Sequence, residues 1–236
     1  MPAVRRLLFA RTFLLKGESV MDMPIKYKLG EGELIYIPKW ADDPGMLYRE
    51  AQKLSFTTEY VPSWKDPKVP VAIKKRKTVD YGLEYGYSRT AKPSIGWEPL
   101  ALAIKQKLQA QLGCTLLQCA CNQYLDPEGY ISAHSDKSTP INGVKVAPNL
   151  IISLSLGSLR QMALRPIRPG REGDDRNQFV TMNDVRREKD AIVLDLEPGS
   201  LVMFNGALNH TWKHAIPMAE NKEVAGERIS LTYREF

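Results

Sequence analysis

After Gly113 the sequence reads LLQCACNQY (116–124), YISAHSD (130–136), NLIISLSLG (149–157), QMALRPI (161–167), AIVLDL (191–196), SLVMFN (200–205), HTWKHAI (210–216) and RISLTYR (228–234). These eight runs are β-rich and mostly short. Turn signals separate them, notably Asp126-Pro-Glu-Gly129, Pro198-Gly199 and Asn205-Gly206. Eight such strands in succession predict an antiparallel double-sheet jelly roll, a double-stranded β-helix.

Upstream the pattern turns helical. Leu100, Ile104, Leu108 and Leu112 repeat every four residues in EPLALAIKQKLQAQL (98–112), and Gly113 supplies a C-terminal stop. PGMLYREAQKL (44–54) reads as a helix capped by Asp42 or Asp43, with Pro44 in its first turn. EGELIYI (31–37) reads as a strand ended by Pro38, residues 60–96 as long surface hairpins, and residues 166–189 as a charged excursion between strands. The chain is therefore read as α+β: a basic N-terminal arm over 1–30, then one domain over 31–236 whose N-terminal helices precede a jelly-roll core over 114–236.

Composition sets outer limits. With 236 residues, 43% hydrophobic and 25% charged, the chain can bury a core without staples. No stretch nears the ~18 uninterrupted apolar residues of a membrane-spanning helix, so no membrane partner is expected. Thirty-three Lys+Arg against 27 Asp+Glu give +6, an excess that suits an anionic partner if clustered. The cysteines Cys114, Cys119 and Cys121 are odd in number, bunched and without a C-x-x-C pair. They read as reduced, mostly buried thiols in a cytoplasmic or nuclear protein, expected to be a monomer. Arg5, Arg6, Arg11 and Lys16 precede the first acid, Glu18. A mitochondrial transit segment shares that pattern, but a basic arm, or residues upstream of a start near Met21, accounts for it better.

The chain has three histidines: His134, His210 and His214. In a strand, alternation would put His134 and Asp136 of H-S-D on one face, where both can converge on one ion. His214 in HTWKHAI is the natural third ligand. Two histidines and a carboxylate on one face of a metal leave its other positions open, as in the facial triad of non-haem Fe(II) oxygenases. H-x-D alone is a weak motif, and structural or exposed histidines would read the same. The last strand adds weight. Alternation puts Arg228, Ser230, Thr232 and Arg234 on one face, and two arginines inside a sandwich are costly unless an anion satisfies them. A dicarboxylate such as 2-oxoglutarate would do so through a bidentate pair. If that face points outward, the arginines are ordinary surface charges.

In this order, N-Q-Y (Asn122, Tyr124), H-S-D, N-L-I-I-S-L-S-L-G, P-G-S-L-V-M-F-N, H-A-I and R-I-S-L-T-Y-R resemble the AlkB family of Fe(II)/2-oxoglutarate dioxygenases, over roughly residues 70–236. The resemblance implies that His134, Asp136 and His214 bind a catalytic iron and that Arg228 grips the distal carboxylate of 2-oxoglutarate. Asn122, Tyr124, Ser230 and Arg234 would complete the cosubstrate pocket, although relatives often have Asn where Ser230 stands. His210 matches no motif position and reads as a surface residue or one packed behind the ligands. The implied reaction turns 2-oxoglutarate and O2 into succinate and CO2, hydroxylates an N-methyl group on a base, and releases formaldehyde.

KVPVAIKKRKTV (68–79) carries five positive charges and no acid, and DYGLEYGYSR (80–89) follows. This stretch, with the later W-x-P-L, resembles the nucleotide-recognition lid of AlkB repair enzymes, placed here at about 60–96. By that resemblance Lys74, Lys75, Arg76 and Lys77 meet phosphates, Tyr87 and His134 sandwich a flipped base, and Tyr85 and Ser88 lie beside it. Without it, a charge run is usually a solvated face, and alternating tyrosines usually fill a hairpin. Ser138 stands where many members have an acid that contacts the base, which bears on base preference. The expected function is oxidative demethylation of lesions such as 1-methyladenine and 3-methylcytosine in DNA, with RNA as the alternative. A dioxygenase of protein or lipid would need no such lid, and a binding module no intact triad.

Overall fold

The computed structural model describes residues 6–7, 23–62, 66, 68–83, 85–87, 90–92, 95–168, 178–223 and 225–236. Strands β1 (Arg6–Leu7), β2 (Ile25–Leu29) and β3 (Gly32–Ile37) lead into helix α1 (Pro44–Ala51). β4 (Thr57–Pro62) and the long β5 (Pro70–Gly82) form one hairpin, and β6 (Tyr85–Tyr87) and β7 (Thr90–Lys92) another. Helix α2 (Pro99–Leu112) precedes β8 (Gln118–Tyr124), β9 (Ile131–His134) and a small hairpin of β10 (Thr139–Ile141) and β11 (Val144–Val146). The remainder is β12 (Leu150–Gly157), β13 (Arg160–Pro166), α3 (Met182–Arg186), β14 (Ile192–Leu196) and β15 (Leu201–Asn205). Helix α4 (Gly206–Thr211), β16 (Trp212–Ile216) and β17 (Arg228–Glu235) complete it.

A nine-stranded sheet, β1-β2-β3-β15-β12-β17-β8-β5-β4, lies against a four-stranded one, β14-β13-β16-β9, and every pairing in both is antiparallel. This is the jelly roll expected from the eight runs. The central strands of the larger sheet have two buried faces. Ile229, Leu231 and Tyr233 of β17, Cys119 and Cys121 of β8, and Val79 and Tyr81 of β5 pack with Ala101, Ile104 and Leu108 of α2. Their neighbours in sequence point the other way, toward the smaller sheet. There Leu34, Val202 and Phe204 meet Met162, Leu164, Leu194 and Ile216 in a second core. Each fully buried aliphatic side chain contributes about 1.5–3 kcal/mol, so both faces hold the sandwich together.

Four expectations need correction. The arm assigned to 1–30 ends sooner, because Ile25–Leu29 pairs with Gly32–Ile37 and buries Leu29. The alternation Ile25, Tyr27, Leu29 was the available signal. Residues 60–96 are not all surface hairpin: β5 crosses into the main sheet beside β8. Its basic run masked the polar–apolar alternation of Thr78, Val79, Asp80 and Tyr81, all four of which are buried. In α2 the buried stripe is Ala101, Ile104 and Leu108, while Leu112 is largely exposed. A strict four-residue step overshoots a 3.6-residue turn by ~40° each time and walks off the face. Finally, the Asn205-Gly206 turn is a helix start, with Asn205 Oδ1 accepting from the Leu208 N–H.

Candidate active site

β9 and β16 are neighbours, and their register sets His134 directly across from His214, with ring centroids 4.3 Å apart. The strand stops at His134, so alternation does not aim Asp136. Asn209 of α4 does instead. Its Oδ1 accepts from the Asp136 N–H at 2.8 Å, and its Nδ2 donates to the Asp136 carbonyl at 2.9 Å. Asp136 Oδ1 then lies 3.6 Å from His134 Nε2 and 3.8 Å from His214 Nε2. Ligand atoms of the three residues fall within 4.8 Å of one another. His134 Nδ1 sits 2.8 Å from the Ser132 carbonyl; donating there leaves Nε2 as the lone-pair nitrogen that a metal requires.

The surroundings fix the charge of this set. Burial, with His214 alongside, lowers the His134 pKa to about 3. Burial, with Arg234 nearby, also lowers that of His214. Burial alone would push Asp136 up, but Arg234, His214 and His134 hold its carboxyl well below the usual range. At neutral pH the cluster is two neutral imidazoles and one carboxylate, the ionisation state in which such side chains bind a metal.

The same cleft, between the two sheets, is lined by the polar face of β17. Arg228 is 1% exposed, so that face points inward. Its Nη2 donates to Ser155 Oγ at 2.9 Å, while Nε and Nη1 have no partner among the described residues. Burial lowers its pKa to about 10, which still leaves it a cation at neutral pH. Each idle buried N–H costs about 1–3 kcal/mol, more on a charged group, so this geometry fits a carboxylate ligand. Asn122, Tyr124 and Ser230 line the same cleft. Arg234 lines it too, but its Nε is engaged by Asp136 Oδ2 at 2.8 Å and its Nη1 by Gln118 Oε1 at 2.6 Å. It braces a ligand of the metal site.

The basic run divides. Arg76 does not face phosphate-bearing solvent: it is buried, lines the cleft and donates from Nε to Asn122 Oδ1 at 2.9 Å. Strand alternation turns Lys77 to the opposite face, half-buried. The side chains of Lys74, Lys75, Tyr85 and Tyr87, and all of Ser88, lie outside the described residues. Ser138 is exposed just beyond Asp136, and His210 is exposed on α4. Sequence reasoning missed Asn209, Gln118 and Asp80. None lies in a chemical motif, and their partners stand 38 or more residues away.

Comparison with known proteins agrees with this geometry. The pattern of the 2OG-Fe(II) oxygenase superfamily matches residues 45–234. "Alpha-ketoglutarate-dependent dioxygenase alkB homolog 3" of Rattus norvegicus is 30% identical over 161 residues, 67% of this chain and 49% of that protein. "DNA oxidative demethylase ALKBH2" of Bos taurus is 26% identical over 156 residues, 66% of this chain and 50% of that protein. The chain thus spans about half the length of these relatives. A solved structure titled "The structure of OsALKBH1" shares the fold, with a TM-score of 0.50 at 17% identity, covering 86% of this chain and 96% of its own. The chain belongs to the 2OG-Fe(II) oxygenase superfamily, within its AlkB family.

Proposed function

We propose that this protein oxidatively removes N-methyl groups from bases in nucleic acid, with 1-methyladenine and 3-methylcytosine in DNA as substrates. One observation carries the reading: a His134–Asp136–His214 donor set shares a cleft with the buried Arg228, whose Nε and Nη1 lack partners among the described residues. His134, Asp136 and His214 would hold Fe(II). Arg228 takes the distal carboxylate of 2-oxoglutarate, with Tyr124, Asn122 and Ser230 around it. When bound, Fe(II) with 2-oxoglutarate and O2 supplies the oxidation of the methyl group, with succinate, CO2 and formaldehyde as products.

The protein's share is placement. Arg234 and Asn209 fix Asp136, and the Ser132 carbonyl fixes the His134 ring. The apolar walls Ile131, Ile151, Met162, Phe204 and Ile216 limit water in the cleft. The substrate must leave its stack to reach this depth, and β5 to β7 are the proposed platform, with Tyr87 and His134 proposed to sandwich the base. The relatives named for DNA demethylation and for alkB support this assignment. The test is to incubate iron-loaded protein with 2-oxoglutarate and methylated or unmethylated DNA and RNA oligonucleotides. Mass spectrometry should show methyl loss from DNA carrying either lesion; no loss from any oligonucleotide would sink the reading.

A further inference from the structure

A chain of buried side chains runs from Asp136 across three strands of the larger sheet. Arg234 on β17 donates from Nε to Asp136 Oδ2 and from Nη1 to Gln118 Oε1 on β8. Gln118 in turn donates from Nε2 to Asp80 Oδ1 on β5, at 3.2 Å. The register builds this ladder: Arg234 pairs with Gln118, and Gln118 with Gly82, two residues from Asp80. Gln118 is fully buried and Asp80 nearly so.

A buried amide is costly unless both ends are used. Here the ends are not interchangeable. A guanidinium only donates, so Oε1 must face Arg234, which leaves Nε2 to donate to Asp80 Oδ1: the Gln118 amide has one workable orientation between them. That orientation holds Arg234 against Asp136 Oδ2. The remaining oxygen, Oδ1, is the one that faces both histidines. A carboxylate offering one oxygen occupies one position on a metal; chelation through both would take a second position, one that cosubstrate or oxygen needs.

Resting on the metal site proposed above, we propose that Gln118 and Asp80 are positioning residues: they hold Arg234 so that Asp136 offers the metal a single oxygen. Partners one step removed from a metal typically change its affinity 10–100-fold when lost. Gln118→Leu removes the acceptor for Arg234 at similar volume. Asp80→Leu removes the acceptor for Gln118, whereas Asp80→Asn keeps an oxygen there.

The experiment uses the full chain, stripped of metal and titrated with Co(II), whose visible absorption reports coordination number as well as affinity. Gln118→Leu should bind Co(II) at least tenfold more weakly than the parent, with an altered spectrum. Asp80→Leu should weaken binding several-fold, and Asp80→Asn should recover most of that loss. A general packing role would instead leave the two Asp80 variants equally impaired, and that result overturns the proposal. So does a parental affinity and spectrum in Gln118→Leu; should that variant not fold, the Asp80 pair decides alone. Failure of the parent to bind Co(II) would overturn the metal site itself and the proposal with it. A parent that binds, with variants that match it, would overturn only the positioning role.

Discussion

Arg228 sets stability against function within one side chain. Its cation is buried, donating from Nη2 to Ser155 Oγ and lying over the face of Tyr124 at 5.3 Å, while Nε and Nη1 are idle among the described residues. Removing such a group in favour of an apolar one of similar volume often stabilises a protein by about 1–4 kcal/mol. Arg228→Met is therefore expected to raise the urea midpoint of the ligand-free protein while abolishing any rise produced by 2-oxoglutarate. Arg228→Lys keeps the charge but loses the planar fork, so it should weaken 2-oxoglutarate binding. Urea melts of parent and variants, with and without 2-oxoglutarate, check both; a less stable Arg228→Met would mean that the Ser155 and Tyr124 contacts outweigh the idle donors. At this scale the sequence was legible where one strand carries the pattern. Arg228, Ser230, Thr232 and Arg234 share a face by alternation alone. Asn209 was not legible, because a residue that works through its partner's backbone leaves no local signature.

Among the elements, β5 departs furthest from its sequence appearance. A run of four cations suggests one charged surface, yet a strand sends alternate residues to opposite sides, and Arg76 ends up inside the cleft on Asn122. On the proposed nucleic-acid reading, Arg76 is thus removed from the phosphate-contacting set, and salt-sensitive contact with a polyanion is expected of Lys74, Lys75 and Lys77. Changing these three to Ser should flatten the slope of log affinity for an oligonucleotide against log salt, since each phosphate contact contributes about 0.7–0.9 to it. Arg76→Ser should leave the slope nearly unchanged and raise the KM for 2-oxoglutarate by loosening Asn122. Salt titrations and cosubstrate kinetics on both variants separate the two roles, and a slope lost with Arg76 alone would reverse the assignment. Helix α2 shows the opposite case. Its apolar residues and glycine stop are all local, so its limits were readable, and only the exact stripe drifted. The strand β9 was readable to His134 and no further, because the loop that carries Asp136 is shaped by α4, 73 residues on.

Taken whole, the molecule is two sheets with the site between them. Both histidines of the donor set come from the smaller sheet, and Arg228 from the larger. A metal with 2-oxoglutarate bridging to Arg228 would thus tie one sheet to the other. Metal and cosubstrate together should raise the melting temperature more than the sum of their separate effects. Binding at a hundred times Kd adds about 2.7 kcal/mol. Thermal scans with metal, 2-oxoglutarate, both, and both plus a chelator measure this; additive shifts would show that the two ligands do not meet. Around β17 the larger sheet is also a partition, with oily packing against α2 on one side and polar chemistry on the other. Along β17 the two uses are interleaved one residue at a time, so the strand obeys a rule of parity. Inserting a single residue within it would send one arginine into the greasy compartment and leucine or tyrosine into the cleft, undoing core and site together. Inserting two would restore the faces but displace Arg228 by about 7 Å along the strand. Length change there is forbidden in odd steps by solubility in oil and in even steps by reach, which leaves substitution as the only route by which this strand can vary.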